Sequence, residues 1–200
     1  MPNLTTVELP HCFEGDHQLN YHRTLLNCMS SVEIGRWSEH PALQGALPNA
    51  NVHNMIDFNA MHTTTQQIVV DSSVAFDPSF TVLDLSRFSS LRELAVGDCS
   101  LSTVEEVKLM GLHLLDTVTI GNGCFSKRKG VSNPNRHFYL KDCGRLKQLK
   151  IGRESFMDYS LCEMENLHSL THIQIGELDQ ESFTFMAASL VLKSDCSQRK

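Results

Sequence analysis

The feature that most constrains this chain is a phrase that keeps returning: LRELAVGDCSL (91–101), LDTVTIGNGCF (115–125), LKQLKIGRESF (146–156) and LTHIQIGELDQ (170–180). One such unit is too short to bury its own apolar face. A phrase that returns at similar intervals therefore predicts copies stacked on one another. A glycine anchors the alignment at Gly35, Gly97, Gly121, Gly152 and Gly176, with apolar residues nine, six, three and one positions ahead of each. Those residues are Leu26, Met29, Val32 and Ile34 in the earliest of the five copies, and Phe88, Leu91, Leu94 and Val96 in the next. Two degraded copies end at Asp71, with Ile68 and Val70 ahead of it, and at Pro10, with Leu4, Val7 and Leu9. The anchors at 10, 35, 71, 97, 121, 152 and 176 lie 25, 36, 26, 24, 31 and 24 residues apart. This is a period of about 24 residues with loop insertions.

Each copy predicts two short strands. The phrase end alternates, as in Leu94/Val96 or Leu149/Ile151, as a half-buried strand requires. A second alternating pair precedes each anchor: Leu83/Leu85, Val107/Leu109, Phe138/Leu140 and Cys162/Met164. No copy offers the run of three-and-four spacing that a helix needs. The anchor glycine is expected to turn the chain through positive φ, and Phe125, Phe156 and Phe183 to plug the core just after it. SLVLKSDC (189–196) repeats the apolar pattern of HFYLKDC (137–143), after which no further phrase follows. Neither end carries a recognisable polar cap, which suggests part of a longer array or a decayed copy. The organisation read from the sequence is degenerate, irregular repeats over 1–77, a regular array over 78–196 and a tail at 197–200.

These residues carry a resemblance. LRELAVG, LDTVTIG, LKQLKIGRESF and LTHIQIG, interleaved with FYLKDCGRL and CEMENLHSL, resemble leucine-rich repeats. They are most similar to the divergent repeats with two strands per turn found in unicellular eukaryotes and in bacterial surface-antigen-like proteins. The similarity covers roughly 80–196. It departs from the usual pattern in lacking an asparagine directly after the strand, where glycine stands instead. The resemblance implies a mainly β, right-handed leucine-rich-repeat-like solenoid with rungs of about 24 residues and little helix. It also implies a scaffold for protein–protein recognition without catalytic activity.

The remaining chemistry is sparse. The hydrophobic content of 41%, with 20% charged residues, is that of an ordinary folded protein. A net charge of −6 argues against a nucleic-acid partner held by bulk charge. No run approaches eighteen apolar residues, so no membrane span is expected. The opening MPNLTTVELPHCFEG is not a secretory signal as written, and the cysteines are odd in number and scattered. A reducing, cytoplasmic setting is therefore expected. His11, Cys12, His17, His22 and Cys28 gather near the front, and a metal or catalytic site there is the alternative reading. Paired ligand spacing is missing, so chance clustering explains them better, and no metal, cofactor or catalytic residue is assigned. A decayed copy without a partner is the third reading.

The contact surface expected for a protein partner is the outward face of the first-strand sheet. It comprises Arg92, Glu93, Asp116, Thr117, Lys147, Lys150, His172 and Gln174. The second choice is the basic insertion SKRKGVSNPNR (126–136), with Lys127, Arg128, Lys129 and Arg136, whose bland alternative is a solvated loop. The chain is expected to be a monomer or part of a longer array.

Overall fold

The computed structural model describes residues 49–127, 131–177 and 181–195, together with two strands nearer the N-terminus. In chain order the elements are β1 (Thr6–Glu8), β2 (Ser31–Val32), β3 (Asn49–Val52), α1 (Met55–Ala60), β4 (Gln67–Val70), β5 (Val82–Asp84), β6 (Glu93–Val96) and β7 (Glu106–Met110). They continue as β8 (Thr117–Ile120), β9 (Asn133–Lys141), β10 (Gln148–Ile151), β11 (Tyr159–Glu165), β12 (His172–Ile175) and β13 (Ser189–Lys193). The protein is mainly β. Among the described residues the one helix is the six-residue α1, capped by Asn54, whose side chain accepts from the Ile56 and Asp57 amides. No helix among them is long and apolar enough to cross a membrane.

From β4 onward the chain alternates between two wholly parallel sheets. One has the order β2-β1-β12-β10-β8-β6-β4-β3, the other β13-β11-β9-β7-β5. The pairing register coincides with the alignment of the phrases. Ile68, Leu94, Val118, Leu149 and Ile173 are successive partners across the first sheet. Leu83, Val107, Phe138, Cys162 and Leu190 are successive partners across the second. Both columns point inward and all ten residues are buried. Removing such a side chain from water contributes about 1.5–3 kcal/mol, so a one-residue slip in any strand would expose its whole inward set.

Three expectations change. The phrase ends around Val7 and Val32 do form strands, but they do not precede β4 in space. Val7 pairs with Ile173 and with Val32, so β1 and β2 extend the first sheet beyond β12, at the far edge from β3. A parallel edge presents unpaired amides and carbonyls that any strand in register satisfies, whatever its place in the chain. The position beside β4 belongs to β3, where Ala50 and Val52 align with Ile68 and Val70. The phrase alignment did not include this strand, because its NANV sequence supplies only two small apolar residues.

The anchor glycines also act differently from expectation. Gly97, Gly121 and Gly152 do not turn with positive φ, unlike Gly176 at 78°. They sit where the preceding rung's backbone crosses closely. A Cβ on Gly152 would lie 2.6 Å from the Gly121 carbonyl carbon and 2.7 Å from the Asn122 amide nitrogen; one on Gly97 would lie 2.5 Å from the Ser72 amide nitrogen. The left-handed residues come two and four positions later: Cys99 and Leu101, Gly123 and Phe125, Glu154 and Phe156. Between them lies a buried position whose hydroxyl or thiol donates to the carbonyl of the previous rung's anchor. Ser100 donates to the Asp71 carbonyl, Cys124 to Gly97, Ser155 to Gly121 and Thr184 to Gly152, at 2.7–3.1 Å. This ladder satisfies carbonyls that would otherwise be buried unpaired.

Phe125 and Phe156 plug the core as expected, but the third place is held by Phe185, which is buried, while Phe183 is half-buried. The phrase after Gly176 is longer before its SFTF, and this shift puts Phe183 on the first left-handed position and Phe185 on the second. Phe125, Phe156 and Phe185 stack face to face at 4.7 Å between centroids. Near β3 and α1 the filling is less regular: Phe58, Phe76 and Phe80 meet edge-on or tilted, and the Arg87 guanidinium lies over Phe58 and Phe88.

Candidate functional site

The outward face of the first sheet is built from its turns upward. Before β6, β8, β10 and β12 a tight turn closes by an amide-to-carbonyl bond three residues back: Leu91 to Phe88, Leu115 to Leu112, Leu146 to Cys143 and Leu170 to Leu167. The leucine of each turn is buried, so its successor leaves the core on the opposite side. Backbone bonds then link those successors rung to rung. The Asp116 amide donates to the Arg92 carbonyl, Lys147 to Asp116 and Thr171 to Lys147, at 2.7–3.0 Å. Arg92, Asp116, Lys147 and Thr171 thus form one column. Glu93, Thr117, Gln148 and His172 form the next by strand register.

Asp116 is the electrostatic centre of this face. Arg92 approaches one carboxylate oxygen at 3.8 Å, while Lys147 and Arg145 approach the other at 3.5 and 3.8 Å. That second oxygen is enclosed yet accepts no hydrogen bond. One carboxylate therefore balances three cations at distances where the attraction is coulombic, weakened by solvent, rather than hydrogen-bonded. Arg145 was not among the residues read from the sequence. It lies in the turn before β10 rather than on an alternating strand position, and only the turn geometry brings it over Asp116.

The other expected residues divide. Glu93 accepts from the Gln67 side-chain amide at 2.9 Å, and Lys150 and His172 are half-buried. Gln174 is only 5% exposed and its side-chain amide reaches the Gly176 carbonyl, so it offers little to a partner. Thr119 and Ala95, in the same column, are likewise buried.

The basic insertion does not hold together as a cluster. Lys127 is exposed and reaches Glu105 at 3.5 Å, and Arg128 and Lys129 lie outside the described residues. Arg136 is fully buried. Its guanidinium pairs with Asp158 at 2.6 Å, donates to the Ser102 and Val104 carbonyls and lies over the Tyr159 ring. The missed signal was alternation: Arg136 stands two residues before Phe138 and four before Leu140, on the inward side of β9. The pair is not saturated, since Arg136 Nε and Asp158 Oδ1 make no hydrogen bond.

The outward face of the second sheet carries a contrasting set of charges. Lys141 reaches Glu163 at 2.6 Å and Glu165 at 3.5 Å, Lys193 reaches Glu163 at 2.5 Å, and Lys108 reaches Glu106 at 2.7 Å. Burial alone would raise the Glu163 carboxyl, but the hydrogen bonds and charges of Lys141 and Lys193 outweigh it and hold it below the usual range. Burial likewise pulls Lys141 down, and the bonds and charges of Glu163 and Glu165 leave it raised.

Nucleophilic chemistry finds no support in the buried cysteines. Burial pushes the Cys124 and Cys143 thiols up to about 12 and raises Cys162 as well, the reverse of an activated thiolate. Among the described residues no three His, Cys, Asp or Glu side chains gather as a metal site would require. His11, Cys12, His17, His22 and Cys28, which define the alternative site, lie outside the described residues. Comparison with protein-family models, with curated proteins and with solved structures finds no match.

Proposed function

We propose that this chain is a right-handed leucine-rich-repeat-like solenoid acting as a non-catalytic protein-interaction scaffold, with the outward face of the first sheet as its contact surface. Support for the architecture comes from the parallel alternation between two sheets and from the spacing of register-matched residues. Ile68, Leu94, Val118, Leu149 and Ile173 follow one another at 26, 24, 31 and 24 residues. Crossovers between parallel strands of one sheet are right-handed as a strong rule. Stacked rungs also give a continuous ladder of side chains, the surface such arrays use for partners. The single observation that carries the functional reading is the under-neutralised charge around Asp116, because charges already paired within a surface have little to offer a partner.

The test is affinity capture from the native lysate with tagged chain, comparing wild type with the triple variant Lys147→Glu, Lys150→Glu and His172→Glu. A second variant, Lys108→Glu with Lys193→Glu, alters the opposite face. Circular dichroism checks that both remain folded. A partner retained by wild type and by the second variant but lost by the first is the expected result. A partner lost only by the second variant would move the contact surface to the other sheet.

A further inference from the structure

We infer that the cation cluster around Asp116 receives an acidic polypeptide segment, a partner strand or tail bearing closely spaced Asp and Glu side chains. The inference rests on the scaffold reading above and supplies the chemistry of its partner. Strands β6, β8 and β10 and the tight turns that lead into them carry four cations, Arg92, Arg145, Lys147 and Lys150, against two carboxylates, Glu93 and Asp116. The whole chain, by contrast, bears a net charge of −6. The face is therefore a local reversal of the molecule's sign.

Its cations are also available. Arg145 and Lys147 expose 52% and 65% of their side chains, and Arg92 exposes 35%. Asp116 holds all three near one point while hydrogen-bonding none of them through its enclosed oxygen. A carboxylate arriving from outside would find two guanidinium groups and an ammonium converging, with donors still unspent. Lys150, one rung position further along β10, makes no ion pair among the described residues and sits within reach of a second acidic side chain on the same segment. On the second sheet the corresponding lysines are each bonded to a carboxylate at 2.5–2.7 Å, so a partner's acid would have to displace one. A nucleic acid is disfavoured because an excess of two positive charges on an acidic protein releases few counterions.

The experiment is a fluorescence-anisotropy titration of full-length protein against a fluorescein-labelled hexaglutamate peptide, at low and at moderate salt. Saturable binding that weakens with salt is expected. Arg145→Glu with Lys147→Glu should weaken it about tenfold or more, and Lys193→Glu on the other sheet should change it less than about twofold. Asp116→Asn is the sharper probe: it removes the internal competitor and should tighten binding about threefold. Should Asp116→Asn melt early, Arg145→Ala takes its place, with weakened binding expected. No saturable change for folded wild type, binding indifferent to these substitutions, or equal binding of a hexathymidylate would each overturn the assignment. If hexaglutamate is ignored while lysate capture still yields a partner lost by the first-sheet variant, the acidic-segment inference fails and the scaffold reading stands. If hexaglutamate binds as expected and capture yields no face-dependent partner, the acid-binding cluster stands and the scaffold reading falls.

Discussion

The two sheets share one strand alternation yet differ at their exits and on their outer faces. Leaving the first sheet, the chain passes an anchor glycine pressed against the rung before it, then two left-handed residues flanking a buried hydroxyl or thiol. Leaving the second sheet, it turns through one left-handed residue, Gly111, Asp142 or Asn166, and Gly144 has open space where a Cβ would go. On the outer faces the contrast reverses. The second sheet ties its lysines and glutamates to one another, while the first leaves cations crowded on a single aspartate. The structure is thus tightest at the first sheet's exit and least internally neutralised on that sheet's outer face. A face whose groups are already held in place loses less freedom on binding, which is in keeping with the proposal that a partner meets the protein there.

The largest effect that sharpens this comparison lies where the chain enters the second sheet. Asp158→Ala leaves the fully buried Arg136 without its partner and should cost about 3–5 kcal/mol in chemical denaturation. Arg136→Met combined with Asp158→Leu should recover most of that loss, since no charge then remains buried. A loss below about 1 kcal/mol for Asp158→Ala would show that the pair is solvated rather than enclosed.

Next come the two exits. Gly152→Ala forces a methyl group against the Gly121 and Asn122 backbone and should destabilise by about 1–3 kcal/mol. Gly144→Ala, with nothing within 4 Å, should stay within about 0.5 kcal/mol of wild type. Equal effects at the two glycines would erase the distinction between the exits.

A smaller effect separates the faces by pH. The Glu163 carboxyl is held below its usual range by Lys141 and Lys193, so its contribution is present above the unfolded carboxylate range and is lost as pH falls through the depressed folded value. Glu163→Gln should therefore lower stability by about 1 kcal/mol near neutrality, and the gap from wild type should close in acid. Thermal melts from pH 7 down to pH 3 read this directly. A gap that widens in acid would reverse the sign assigned to the pair.

The smallest effect concerns thiol reactivity rather than energy. Site-resolved alkylation of the folded protein should modify exposed Cys99 well before Cys124, Cys143 and Cys162, whose burial raises their thiols. Rapid labelling of Cys124 would mean that the first sheet's exit opens readily.

Much of the architecture was legible in the residues. Alternation at Leu94/Val96 and Val107/Leu109 marked strands, and glycine-anchored alignment put each phrase in the register later found between strands. It did so because period-two burial is local: each side chain's face is set by its neighbours two residues away. The candidate site was half legible for the same reason. Arg92, Asp116 and Lys147 follow equivalent leucines and so share a column, whereas Arg145 belongs to a turn whose direction alternation does not report.

What tertiary structure alone decided is whatever depends on the neighbour across a gap. Glycine at 97, 121 and 152 is required by the backbone of the rung beneath, not by its own torsion. Arg136 is internal because Asp158 and the Ser102 and Val104 carbonyls are there to meet it. β1 lies beside β12 because hydrogen-bonding edges match by register rather than by order along the chain. Sequence pattern determines which side of a strand is apolar; only the folded chain determines what that side, or the opposite one, touches.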